Sequence, residues 1–218
     1  MTHDSGFAPN PYYRYCTLAT CTPNHMRANL EKDDVIVGVE ANSLMRQRMR
    51  KLGKQSSQYR CIIYYMVISE QLSLDDYYRD SRFSAKKAEP ASSSYAKRQG
   101  DNVYWRKGKG FASTPGNPHY DTHSFGQDTK GNRVFIGSKF FYFGDSQVRL
   151  PPRFEKYVPK NHGIKYTRRE LPSLDQYVEQ QAIRLGKKSG RIGHPIGREE
   201  SSSCSPVGSA PAKSRRRC

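Results

Sequence analysis

The sequence predicts an α+β fold: a compact, strongly curved, mostly antiparallel sheet or partial barrel with a few helices and a disordered basic C-terminal tail. Three observations carry this expectation. The segments run strand, loop, strand, short helix, loop, strand, strand, helix, without the regular strand–helix alternation of a parallel doubly wound sheet. The 218 residues suffice for one domain with a sizeable core and some extra length. Hydrophobic residues make up only 35%, and most of the deficit lies from Gly186 onward, where Gly, Ser, Pro, Lys and Arg dominate. Such a stretch cannot bury enough apolar surface to offset its chain entropy. Residues 1–185 are therefore expected to fold, and 186–218 to form the tail.

The first strand is expected at 33–40 (DDVIVGVE), where an acidic turn leads into a β-branched alternation. Residues 48–60 (RMRKLGKQSSQYR) are basic and polar and read as a loop facing solvent or phosphate. RCIIYYMVISEQL, 60–72, is dense in β-branched and aromatic residues and reads as a long strand. SLDDYYRDSRF follows as a short helix, with Ser73 as its cap and Asp76 at the capping-box position. The Ser-rich stretch 84–99 reads as a surface loop. GDNVYWRKG, 100–108, is a turn feeding a short strand that carries Trp105, the only tryptophan. Residues 111–132 (FASTPGNPHYDTHSFGQDTKGN) are nearly all turn chemistry and read as one long loop. RVFIGSKFFYFG, 133–144, reads as one or two strands broken at Gly137, with Phe141 to Phe143 in the core. LPSLDQYVEQQAIRLG, 171–186, closes the fold as an amphipathic helix, with Ser173 as cap and Gly186 as stop.

Charge bounds the partners. The formal net charge is +17, from 37 Lys and Arg against 20 Asp and Glu. Residues 184–218 hold nine basic and two acidic residues, which leaves +10 with the rest of the chain. A basic body as well as a basic tail points to a polyanion, nucleic acid ahead of an anionic membrane surface. No apolar run approaches the roughly eighteen residues that span a bilayer, and no signal peptide is visible. A cytoplasmic protein without a membrane partner is expected. The five cysteines include Cys204 and Cys218 in the tail, so reduced thiols are expected rather than a disulfide framework.

The opening stretch, HDSGFAPNPYYRYCTLATC at 3–21, fits neither a core strand nor a disordered leader. HDSGFAPNP followed by CTLATC resembles the bacterial and phage family called nucleotide modification associated domain, second type. The family's further motifs are matched at Asp34 to Gly38, Gly100 to Tyr104 and Phe141 to Gly144, so the resemblance covers roughly residues 3 to 165. It implies a setting of nucleic-acid base modification and no particular activity. The segment from Asp75 to Phe83 also resembles PUA-like barrels, some of which read modified bases. The resemblance further implies a strand ahead of the His-Asp pair, where this chain has only Met1 and Thr2.

The residues themselves offer several chemistries. Neighbours in an extended segment point to opposite faces, so His3 and Asp4 are not expected to form a dyad. Gly6, Pro9 and Pro11 bend the chain around Asn10, whose amide either meets the edge of a base or holds neighbouring backbone. Tyr12, Tyr13 and Tyr15 surround Arg14, and Tyr104 and Trp105 adjoin Arg106 and Lys107. Bases stack on such rings at about 1–3 kcal/mol each, although packing is the expected role of at least half the tyrosines. Asn102 lies in the same GDNVY motif as Tyr104. Cys16 and Cys21, with His25, His119 and His123, lack a second tight cysteine pair for zinc, so buried thiols are preferred and no cofactor is expected.

No phosphate-cradling Gly loop, nucleophile elbow or deaminase pattern is present, and Asp121 with His123 is a spacing common by chance. The expected function is thus a nucleic-acid-binding module associated with base modification, at its most specific a reader of a modified base. Its ligand would be DNA ahead of RNA, or a nucleotide, with base-modification enzymes as further partners. Arg46, Arg48, Arg50, Lys51 and the tail would contact phosphate. The alternative is a nucleotide- or base-modifying enzyme using His3, Asp4 and Cys16 or Cys21. A third reading is a scaffold that recruits such enzymes.

Overall fold

The computed structural model describes residues 1, 3–20, 29–53, 59–146, 148–160 and 171–197. In chain order the elements are β1 (Cys16–Leu18), β2 (Val35–Val39), α1 (Asn42–Lys51), β3 (Ile62–Val67), β4 (Glu70–Leu72), α2 (Leu74–Arg79) and α3 (Tyr95–Arg98). They continue with β5 (Tyr104–Lys107), β6 (Gly110–Ser113), α4 (Thr122–Gly131), β7 (Val134–Gly137), β8 (Lys139–Tyr142), α5 (Leu171–Arg184) and β9 (Gly190–Arg191).

Two segments rich in β-branched and aromatic residues organise the molecule. β3 pairs antiparallel with β8, Val67 opposite Lys139, and β4 pairs antiparallel with β7, Glu70 opposite Ile136. Both pairings share one register, so a single ribbon breaks at Ile68–Ser69 and Ser138 and passes from one sheet into another. One sheet has the order β1-β7-β4, the other β2-β3-β8-β9, and β5-β6 is a separate hairpin. All pairings are antiparallel except β8 with β9. The architecture is α+β, and the described strands do not close into a barrel.

Apolar packing forms three clusters. α5 lays Leu174, Val178 and Ala182, spaced one helical turn apart, against Tyr65, Phe141 and Phe143. It ends where Gly186 takes a positive φ of 75°. There the N–H of Gly186 reaches the carbonyl of Ile183 and that of Lys187 the carbonyl of Ala182, which satisfies the last carbonyls of the helix. A second cluster joins Phe7 and Ala19 of the opening stretch to Leu74, Tyr77, Phe83 and Tyr104. No helix among the described residues is long and apolar enough to cross a membrane.

Several expectations need correction. Residues 48–51 continue helix α1 rather than a loop, because Leu44 and Arg48, one turn apart, both face inward. Residues 81–86 form a 3-10 turn that runs from the end of the expected short helix into the expected surface loop, and 95–98 form a short helix within that loop. The long loop at 111–132 contains β6 and α4. The Asp121 carboxylate caps α4 by accepting from the N–H of Ser124 at 2.9 Å, and Asn132 ends it in the left-handed conformation. Ser173 lies inside α5 rather than at its cap. The fold also runs past Gly186: Gly190 and Arg191 pair with β8, and Ile196 is buried. Residues 198–218 lie outside the described residues, with Cys204 and Cys218 among them.

Candidate nucleic-acid interface

Asp4 and Asn10 of the opening motif are buried, so their polar groups serve the fold. Asp4 is 1% exposed. One carboxylate oxygen accepts from the Tyr142 hydroxyl and the other from the N–H of Ile196. Burial raises the Asp4 pKa, against the lowering effect of those hydrogen bonds. Asn10, fully buried, is the centre of the motif. Its backbone bridges Thr17, its amide nitrogen donates to the carbonyl of Gln99 at 2.7 Å, and its Oδ1 accepts from Lys86 Nζ at 2.8 Å and from the N–H of Tyr12 at 3.2 Å. Asn10 therefore holds backbone, and its full burial keeps the amide away from a base edge.

Behind Asn10 lies a polar network. Thr17 donates to Asp101 at 2.7 Å and Tyr77 donates to Asp101 at 2.8 Å. Lys86 is 2% exposed, and burial lowers its pKa to about 8 against the raising effect of Asp101. Cys16 is fully buried beside these groups, and burial pushes its thiol up to about 12, which removes the thiolate a nucleophile needs. His3 is exposed, and Cys21 and His25 lie outside the described residues. The Gly100–Asn102 turn belongs to the same network. A Cβ on Gly100 would stand 2.5 Å from the carbonyl oxygen of Lys86, so the close backbone approach requires glycine. Asn102 is buried, with its amide nitrogen on the carbonyls of Tyr77 and Phe83.

Alternation along β5 sorts the next pair. Tyr104 points inward, with its hydroxyl on Asp128 at 3.0 Å, so it is a core residue. Trp105 points to the other side, where its ring meets Tyr78 at 4.8 Å with planes 30° apart. Lys87 Nζ stands 4.0 Å from the centre of the Tyr78 ring. The hairpin continues outward through Arg106, Lys107 and Lys109, all exposed and without an ion pair among the described residues. Sequence reasoning missed Tyr78 and Lys87. The helical phase of α2 offers a signal for Tyr78, since Leu74 and Tyr77 take the buried stripe and leave it on the flank. Nothing local marks Lys87.

The remaining predicted residues are scattered. Tyr12 is buried, while Tyr13 is 48% exposed and Arg14 is exposed over the ring of Tyr15. Arg46, Arg50 and Lys51 are exposed on α1. Arg48 is 3% exposed and donates to both oxygens of the fully buried Glu40, at 2.6 and 3.1 Å, so it is a structural ion pair and not a phosphate contact. In α4, His123 meets Gln127 rather than Asp121, and Asp121 is used as the cap. His119 instead sets its Nδ1 2.8 Å from Asp128.

A family model described as nucleotide modification associated domain 2 matches residues 1–200, and the chain belongs to that family. No curated protein and no solved structure matches the chain at a significant level.

Proposed function

From membership in a family linked to nucleotide modification, we propose that this chain binds nucleic acid as a module serving base modification, DNA ahead of RNA. The observation that carries the proposal is the outward face of the hairpin, where the half-buried Trp105 leads into exposed cations. Trp105 on Tyr78, with Lys87 over the Tyr78 ring, offers a π surface for a base, and Arg106, Lys107 and Lys109 offer charge for the backbone beside it. Reading of a modified base and a PUA-like relationship belong to the same proposal. They are supported by the antiparallel sheets and by helix α2, which directly follows β4. The burial of Asn10, Asp4 and Cys16 weighs against the rival, an enzyme built on His3, Asp4 and a cysteine.

Because Trp105 is the only tryptophan, its fluorescence reports this face directly. Titration with single-stranded DNA oligonucleotides, modified and unmodified, at physiological salt should quench it, since a stacked base quenches an indole. Trp105→Ala should weaken binding measured by anisotropy by about 1–3 kcal/mol, the range for one base–aromatic stack. Binding that survives at physiological salt without quenching and without loss in Trp105→Ala would move the interface elsewhere.

A further inference from the structure

A cleft of about 380 Å³ opens beside α1 and shares no residue with the hairpin face. Asn42, Tyr59, Arg60, Arg149, Leu150 and Glu155 line it. Its volume is at the lower end of small-molecule sites, which run about 300–1,000 Å³ and suit one nucleotide rather than a strand. The lining groups divide into those that hold the wall and those left to meet a ligand. Arg60 holds the wall: it donates to the carbonyl of Glu40 at 2.7 Å and to Oδ1 of Asn42 at 2.9 Å, and stands 3.5 Å from the Glu155 carboxylate.

That use of Oδ1 fixes the Asn42 side chain, and the other end of the amide remains a donor at the cleft. The Glu155 side chain, 41% exposed, keeps acceptor capacity beyond its contact with Arg60. Arg149 is the cation without a carboxylate. Its guanidinium lies 5.2 Å from the centre of the Tyr59 ring, exposed, and in no ion pair among the described residues. Leu150, 3% exposed, and Tyr59 supply the apolar wall.

We propose that this cleft binds a nucleoside 5′-monophosphate, with phosphate on Arg149, the base against Tyr59 and Leu150, and its edge on Asn42 and Glu155. A planar guanidinium without a carboxylate partner suits a phosphate monoester, whose oxygens match its fork. A donor and an acceptor that both flank Arg60 suit a base edge and have no counterpart on inorganic phosphate. This inference does not rest on the hairpin reading.

The experiment is calorimetric titration of the full chain, at physiological salt, with the four deoxynucleoside 5′-monophosphates, the four deoxynucleosides and inorganic phosphate. At least one monophosphate should bind about tenfold tighter than both its nucleoside and inorganic phosphate, as expected when a charge-assisted contact adds to base contacts. Arg149→Ala should remove that advantage, and Asn42→Ala should change the order of preference among bases. Arg149 is exposed, and an unchanged unfolding midpoint in its variant shows that the fold is intact. Inorganic phosphate binding as tightly as the nucleotides would overturn the proposal, as would an unaffected Arg149→Ala or no binding at all. None of these results would alter the quenching of Trp105, so failure here and failure of the hairpin reading are separate outcomes.

Discussion

The amine of Lys86 is held between the side chain and carbonyl of Asn10, and Asp101 is buried nearby. Burial lowers the lysine to about 8 and raises the aspartate, and each charge partly offsets the shift of the other. The sign for stability follows from proton counting. Between about 8 and the ordinary value of 10.5, the unfolded chain holds the lysine proton and the native chain has released it. Stability from this group therefore rises with pH across that window and is fully present above it. Urea unfolding from pH 7.5 to 11 should show wild type gaining about 3 kcal/mol relative to Lys86→Met over that range. Parallel curves for the two proteins would show that Lys86 keeps an ordinary lysine's proton affinity. At this scale the sequence was least informative: Lys86 sits in the run SAKKAEP, indistinguishable from exposed lysines. Asn10 likewise looks as suited to a base edge as to the backbone it in fact holds, because an amide serves both.

Elements were legible where periodicity and caps agreed. β3 and β8 are dense in β-branched and aromatic residues, α2 carries its Ser73 cap, which accepts from the N–H of Asp76 at 3.1 Å, and Gly186 stops α5. α1 and α4 were hidden for opposite reasons. α1 buries an arginine, so its inward stripe does not look apolar, and α4 contains Gly126, threonines and a histidine that weaken its helical signal. The hairpin β5–β6 was half legible: its first strand carries Trp105, while its partner GFAS has little β character. Its role follows from what lies on its two faces, core beneath Tyr104 and cations beyond Trp105. Replacing Arg106, Lys107 and Lys109 together by alanine should reduce the slope of log affinity against log salt by about 2 for single-stranded DNA, given roughly 0.7 per phosphate neutralised. Binding isotherms at several salt concentrations measure that slope. An unchanged slope would mean that the hairpin cations do not lie on the nucleic-acid backbone.

For the molecule as a whole, the segment from Gly190 to Gly197 locks the two ends of the fold together. The N–H of Ile192 reaches the carbonyl of Tyr142 at 2.9 Å, and His194 and Asp145 exchange backbone and side-chain hydrogen bonds. Ile196, 2% exposed, packs with Leu44, Ile63 and Phe140. Its N–H and the Tyr142 hydroxyl share the Asp4 carboxylate, and the N–H of Gly197 donates to the Asp4 carbonyl at 2.7 Å. Composition placed this segment in a tail because two isoleucines, Ile192 and Ile196, scattered among Gly, Arg, His and Pro do not register as a hydrophobic run. A single buried side chain nevertheless contributes about 1.5–3 kcal/mol, and losing the Ile196 N–H takes one of the two donors from the buried Asp4 carboxylate, at a further cost of about 1–3 kcal/mol. A chain truncated after Leu185 should therefore be about 4 kcal/mol less stable in urea unfolding than one truncated after Gly197, a large share of the roughly 5–15 kcal/mol that holds a domain. Equal midpoints would mean that the contacts of Ile196 and Asp4 add nothing to the fold. If the expected loss is confined to the shorter chain and Asp4→Asn reproduces part of it, the buried aspartate of the opening motif is the anchor for this segment.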